Sequence, residues 1–294
     1  TYSQSYQRRY YLMSRRSKNK IIEKEMSFLD HLEDLRWHLI RASVAVVIVA
    51  MAAFLAKDFI FDVLLFGPKN PDFPTYKLLC RIATNIGLED SFCFTESQFR
   101  IQSRTMAGQF SAHIWTSIVA GFIISFPYVL YEFWKFISPG LHENERNTSR
   151  GFILIASLLF FIGVLFGYYV VAPLSINFLG SYRVSDQVFN DFDLSSYIGL
   201  VRASVLASGL IFELPILIYF LTKIGVVTPQ FLRKYRKFAL VIVLIISAII
   251  TPPDIASQVI VSVPVLLLYE ISIYISVWVL RKQKRKEKEK ANGN

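Results

Sequence analysis

The sequence predicts an all-α membrane protein of six kinked transmembrane helices, with both termini on the cytoplasmic side. Three observations carry this. First, 53% of the 294 residues are hydrophobic and only 18% are charged, against about 25% charge in a soluble domain. Second, the apolar residues gather in long runs at Leu39–Ala56, Phe110–Leu130, Phe152–Val171, Val201–Leu221, Phe238–Ile250 and Val259–Leu280. Crossing the hydrocarbon takes roughly 20 apolar residues, and each run is apolar all round rather than along one helical stripe. Third, the bases are placed asymmetrically. They crowd the N-terminal tail (Arg8, Arg9, Arg15, Arg16, Lys18, Lys20, Lys24), the loop FLRKYRKF at 231–238 and the tail RKQKRKEKEK at 281–290. The segment 172–200 holds only Arg183, and 251–258 holds no base. Positive charge marks the cytoplasmic side, which places both tails and the second and fourth loops there. The net charge of +10 therefore reads as membrane topology, and no nucleic-acid partner is expected.

The elements follow in chain order. Residues 1–25 form a basic cytoplasmic tail, 26–281 one membrane domain and 282–294 a second basic tail. In the first tail, YQRRYYL at 6–12 has the look of a twin-arginine export signal, but no apolar segment follows it. The chain starts with Thr, so the residues before Met13 read as an upstream extension or a cloning remnant. The stretch MSFLDHLEDLRWHLIRA at 26–42 is amphipathic, an interfacial helix leading into the first span. The first outer loop, Lys57–Gln109, carries bases too, but long loops translocate largely regardless of charge. Within it, GPKNPDFP at 67–74 forbids regular helix. Cys80 and Cys93, the only cysteines, both lie in this loop. An oxidising compartment allows a disulfide between them, and two free thiols are the alternative.

Tyr128, Tyr131, Trp134 and Phe136 form an aromatic belt at the inner interface. Beyond it, WKFISPGLHENER turns at Pro139–Gly140 and places Glu143 and Glu145 on the cytoplasmic side. Pro127, Pro173, Pro215 and Pro264 lie in or beside apolar runs. Each removes a backbone bond and bends its helix, and several bent spans make a curved wall with a concave face. The fifth run, about 13 residues long and ending at TPPD, reads as a short span, compensated by tilt of its neighbours or by local thinning of the bilayer.

Motifs for catalysis are missing. There is no P-loop, HExxH or GxSxG, no cysteine cluster with metal spacing, and four scattered histidines (His31, His38, His113, His142). Neither an enzyme nor a cofactor is expected. Glu213 lies inside SVLASGLIFELPILIYFL at 204–221, where a charge costs a few kcal/mol, so it should face protein or water rather than lipid. Three readings stand for it. It polarises a concave face or holds a polar residue of a partner helix; it carries a proton in an ion-coupled secondary transporter; or it hydrogen-bonds to hydroxyls of nearby spans. The transporter reading lacks the internal repeat that such folds often show.

Taken together, HLEDLR, WKFISPGL, ENER, FELP, TPPDIASQ and PVLLLYEISI resemble, in order, motifs of the TatC family, the C subunit of the twin-arginine protein translocase. The resemblance covers about residues 28–281. It implies a six-span, glove-shaped receptor in the bacterial cytoplasmic membrane, N-in and C-in. Such a receptor binds the signal peptides of folded cargo, assembles with TatA- and TatB-type single-span subunits and uses the proton-motive force. By motif, Asp34 and Glu145 stand where the family has the two acids that contact the paired arginines, and Arg36 and Phe136 line the same site. Asp34 is one methylene shorter than the family's glutamate, and neighbouring Glu33 is the alternative ligand. The physics agrees with such a site: carboxylates grip planar guanidiniums bidentately, which a lysine pair cannot match. The resemblance also implies that Glu213 faces the concave side, and that the outer turn at Thr251 and Asp254 lies where a partner's helix docks. Self-association is left open.

Overall fold

The computed structural model describes residues 28–86, 99–137, 149–185, 187–251 and 254–292. Its frame is α-helical throughout. The first span, α1 (Phe28–Leu55), packs chiefly on α3 (Gly108–Ile137). Their backbones touch at Gly121, where a Cβ would lie 2.8 Å from Ala50 Cβ and from the Val46 carbonyl. Small residues at a crossing are how helices associate in lipid, where no hydrophobic force draws them together. Only 11% of this first span is buried, against 44% of the last, so α1 stands at the edge of the bundle.

Between α1 and α3 the chain makes a π-helical turn (Phe59–Leu65), a short 3-10 turn (Gly67–Lys69) and helix α2 (Pro74–Ile86). The proline-rich stretch does interrupt helix as expected, and Pro74 then serves as a first residue of α2, where its missing N–H is harmless. Next comes α4 (Ser149–Phe166), which passes through a π-helical segment (Gly167–Val171) into α5 (Ala172–Ser181). Helices α6 (Leu194–Phe212) and α7 (Leu214–Lys223) form one interrupted span. Helix α7 ends at Gly225, which takes φ +82, a conformation that costs glycine nothing. Thr228 then caps α8 (Pro229–Lys234), its hydroxyl accepting from the Phe231 N–H. Last come α9 (Arg236–Ile250) and α10 (Ile255–Asn292).

Among the described residues five helices are long and apolar enough to cross a membrane. Helix α9, with 15 residues, covers only about 22 Å at 1.5 Å per residue, in keeping with the short fifth run. The prolines behave unequally. Pro127 and Pro264 lie inside unbroken helices. The break near Pro215 falls at Glu213, and Pro173 follows the π-helical segment. The basic tail is not a separate irregular segment in its described part: α10 runs on through it to Asn292.

The loops before α3 and α6 hold a feature that hydropathy does not reveal. β1 (Arg100–Gln102) pairs in parallel with β2 (Asp191–Asp193), in the register Arg100 to Asp191 and Gln102 to Asp193. Each strand leads directly into a span, α3 or α6, entering from the same face, so the two run in the same direction. Below them the core gathers Ala112, Ala172, Ile176, Tyr197, Ile198 and Val201 from α3, α5 and α6.

Candidate functional site

Where α1 meets the far end of α3, the helical repeat puts Asp34, His38 and Arg41 on one face of α1, at i, i+4 and i+7. His38 reaches across to Glu132 on α3, with Nδ1 and Oε2 2.5 Å apart. The carboxylate is 2% exposed, and Arg41 Nη1 lies 3.8 Å from the same oxygen. A buried carboxylate is tolerable only when paired and hydrogen-bonded, and these two neighbours supply both. One turn beyond Glu132, Phe136 meets the His38 ring edge-on, with centroids 6.5 Å apart. Leu35, Leu39, Ala42 and Phe133 close the contact, leaving only about 10 Å³ of open space. That is too little for a side chain, so any ligand must lie on the outer face of this corner.

Asp34 is exposed, one turn from His38 toward the helix start. Glu33 and Arg36 are exposed as well. Arg36 is two residues from Asp34, about 200° around the helix, and so faces away from the Asp34–His38 stripe. The structure thus gathers Asp34 and Phe136 around the His38–Glu132 pair and sets Arg36 apart. Glu145 lies outside the described residues. The pair itself escaped the sequence reading, although Glu132 is an acid inside the aromatic belt and His38 sits one turn from Asp34. Those two signals were available.

Next to Glu132 on α3, Trp134 is buried against Phe152 of α4 (4.7 Å between centroids) and Phe220 of α7 (5.6 Å). This aromatic cluster clamps the ends of three helices at the start of the segment that carries Glu145. Lys135 Nζ lies over the Tyr131 ring, 4.6 Å from its centroid, the amphipathic arrangement expected at a membrane interface.

Glu213 marks the break between α6 and α7. Its φ and ψ, −75° and −4°, tighten the chain there: its own N–H bonds to the Leu210 carbonyl at 3.1 Å, and its carbonyl accepts from Ile216 at 2.9 Å. It is half-buried, and its Oε1 is shielded from solvent without a hydrogen-bond partner among the described residues. The bond to neighbouring hydroxyls that one of its three readings requires is therefore not made there.

At the opposite face, TPPDIASQ acts as a clasp. Thr251 is buried and its hydroxyl donates to the Ser247 carbonyl at 2.8 Å. Asp254 Oδ2 accepts from the Ser257 N–H at 2.8 Å, capping α10, and Gln258 Nε2 donates to the Leu244 carbonyl at 3.0 Å, tying α10 back to α9. Both docking candidates thus make internal bonds, while Ile249 and Ile255 beside them are 79% and 81% exposed. Cys80, on α2, is disulfide-bonded; Cys93 lies outside the described residues.

Comparisons with known proteins identify the family. Residues 30–264 match the family described as Sec-independent protein translocase protein (TatC). The TatC protein of Blattabacterium sp. subsp. Periplaneta americana is 45% identical over 89% of this chain and 98% of its own. That of Aquifex aeolicus is 35% identical over 88% and 98%. A crystal structure of the twin arginine translocase receptor TatC superposes with a TM-score of 0.64 at 33% identity, covering 85% of this chain and 99% of that one. A second crystal structure of that receptor, in DDM, gives a TM-score of 0.65 at 34% identity. This chain belongs to the TatC family of Sec-independent protein translocase proteins, as a multi-pass membrane subunit rather than an enzyme.

Proposed function

We propose that this chain is the receptor subunit that reads twin-arginine signal peptides, using an acidic site at the α1–α3 corner on the cytoplasmic face. The observation that carries the reading is the convergence of exposed Asp34 with Phe136 around the buried His38–Glu132 pair. Asp34 offers one free carboxylate there, and the segment carrying Glu145 leaves α3 immediately after Phe136. With Glu145 as the second acid, two carboxylates suit two neighbouring guanidiniums, each able to take a bidentate grip. Glu33 is the alternative acid, and Arg36 lies on the other side of α1.

In this reading α9 is the fifth, short span, which brings the spans to six, and both termini lie in the cytoplasm of a bacterial cell with the chain in its cytoplasmic membrane. TatA- and TatB-type single-span subunits assemble on the exposed surface around α9 and the Thr251–Asp254 clasp. The unpartnered Glu213 oxygen holds a polar group of such a helix within the membrane, and the proton-motive force drives export. Cys80 pairs with Cys93 and closes the first outer loop.

The test is binding of a fluorescent signal peptide to the purified protein in nanodiscs, with arginine-pair and lysine-pair versions, and with Glu145→Ala and Asp34→Ala. The expected result is tight binding of the arginine form, weakened about tenfold or more by each change, the scale of a charge-assisted hydrogen bond. Binding indifferent to all of them would mean adhesion to apolar surface and would sink the receptor site.

A further inference from the structure

At the end of the bundle opposite the His38–Glu132 pair, a recess of about 790 Å³ opens between the π-helical turn after α1, the 3-10 turn before α2, β1 and the first turns of α3. Its polar lining is unusual in being balanced. Lys57 and Lys69 supply two ammonium groups, and Asp58 and Asp62 two carboxylates. The side chains of Lys57, Asp58 and Asp62 make no hydrogen bond or ion pair among the described residues. Asn70 and Gln109 add amide donors. A purely anionic ligand would meet the two carboxylates and a purely cationic one the two lysines, whereas a ligand carrying both charges satisfies all four.

His113 sharpens the choice. Its Nε2 faces the Phe54 carbonyl at 3.0 Å, so that nitrogen carries a proton and donates. Its ring is stacked on Phe54 at 3.9 Å and meets Phe61 edge-on at 5.5 Å. In the neutral ring Nδ1 is then an acceptor. Three acceptors, from Asp58, Asp62 and His113, suit an ammonium that still has N–H bonds, and a quaternary ammonium has none to give.

The recess also sits where lipid headgroups lie. Lys57 and Asp58 come directly after the end of α1, and Gln109 and Phe110 open α3. Phe110, which lines it, is 62% exposed, and Leu55 and Phe59, close in the chain to its lining residues Lys57 and Asp58, are 85% and 58% exposed, a surface on which acyl chains can lie.

We propose that this recess binds a zwitterionic phospholipid with a primary ammonium, of the phosphoethanolamine class. Its phosphate meets Lys57 and Lys69, and its ammonium meets Asp58, Asp62 and His113. The assignment rests on the recess alone and stands apart from peptide recognition at the other end.

The test is native mass spectrometry of the protein released from nanodiscs that contain phosphatidylethanolamine, its mono- and dimethyl forms and phosphatidylcholine in equal amounts. Retention should fall along that series, with about a tenfold preference for the primary amine over choline, the scale of one charge-assisted hydrogen bond. Asp58→Asn with Asp62→Asn should abolish the preference while phospholipid is still retained. Lys57→Gln with Lys69→Gln should reduce retention of all four lipids. These side chains are on the surface, and a circular-dichroism melt of each double variant checks that the fold is kept. Equal retention across the series, or a preference that survives both double variants, would overturn the proposal. A parallel arm supplies soluble glycerophosphoethanolamine. If the headgroup without chains raises the melting temperature as much as the lipid does, the recess belongs to a soluble solute and the lipid assignment fails.

Discussion

The loop-bearing end of the bundle and the α1–α3 corner solve opposite problems. At the loop-bearing end, phenols donate across the chain to backbone carbonyls of the short turns and helix ends. Tyr76 is shared between the Pro68 and Pro173 carbonyls at 2.8 and 3.1 Å. Tyr168 bonds to Leu64 and Tyr197 to Leu65, both at 2.9 Å. Asn190 reaches the Gly180 and Tyr182 carbonyls at 2.9 and 3.0 Å, and Thr75 donates to Tyr169. At the corner, the His38–Glu132 pair is buried while Glu33, Asp34, Arg36 and Arg41 stay exposed. At the loop-bearing end the phenols and amides that hold irregular backbone are used internally, although Lys57, Asp58 and Asp62 at the same end keep side chains unpaired among the described residues. In the proposed reading, the charges left exposed at the corner are the ones that take hold of a peptide, and the difference separates a frame from a reader.

The separation can be broken by finding one variant that disturbs both. Largest in effect should be the double variant Asp34→Ala with Glu145→Ala. Each charge-assisted bond is worth about 1.5–3 kcal/mol, so arginine-pair peptide affinity should drop by two orders of magnitude or more. The melting temperature should hold, since Asp34 is exposed. A fall in melting temperature without loss of affinity would reverse the roles assigned to the two regions. Next is Gly167→Ala, where the π-helical segment that carries Tyr168 begins. A Cβ there would lie 2.6 Å from the Ser204 carbonyl and 2.7 Å from Val205 Cα, both backbone atoms that cannot turn aside. Overpacking of this kind costs about 1–3 kcal/mol, read as a lower melting temperature in detergent with peptide affinity kept. Smaller again is Tyr76→Phe, which removes one hydroxyl shared by two buried carbonyls. The loss should be about 1 kcal/mol, again with no change in binding.

The membrane frame was readable because hydrophobicity acts through sums over many residues. The apolar runs coincide with observed helix, though Phe152–Val171 runs from α4 into the π-helical segment and Val201–Leu221 is broken at Glu213, and even the short α9 appears at nearly its expected bounds. The functional corner was half readable: Asp34 and Phe136 carry a motif, whereas Glu132 and His38 are 94 residues apart in the chain. Only the packing of α1 on α3 reveals that they pair. The β1–β2 ribbon was not readable, because a three-residue strand has no period to detect and its pairing depends on two loops separated by two spans. Glu213 shows the intermediate case. The cost of a carboxylate in a span was plain from sequence, but the helix break at that residue, rather than at Pro215, comes from local backbone geometry.

The finest test of the contrast is Asp193, which serves the frame twice. One carboxylate oxygen accepts from the Ser195 N–H at 2.9 Å and caps α6, and the other accepts from the Arg104 N–H at 3.2 Å, joining the two outer loops. The backbone N–H of Arg104, followed by that of Ser195, holds this carboxyl below the usual carboxylate range. A depressed folded-state value means that the charged form is favoured by folding. Its contribution is complete above the ordinary value of about 3.9 and fades as pH falls through the lower folded value. Asparagine keeps an oxygen able to cap α6 but has no charge to lose. Asp193→Asn should therefore melt slightly below the parent at pH 7, and the gap should hold down to about pH 5 and narrow only in stronger acid. Peptide affinity at neutral pH should not move. A gap that stays constant into acid would show that the carboxylate serves by shape alone. A change in affinity would mean that the outer frame and the inner reader are coupled through α6.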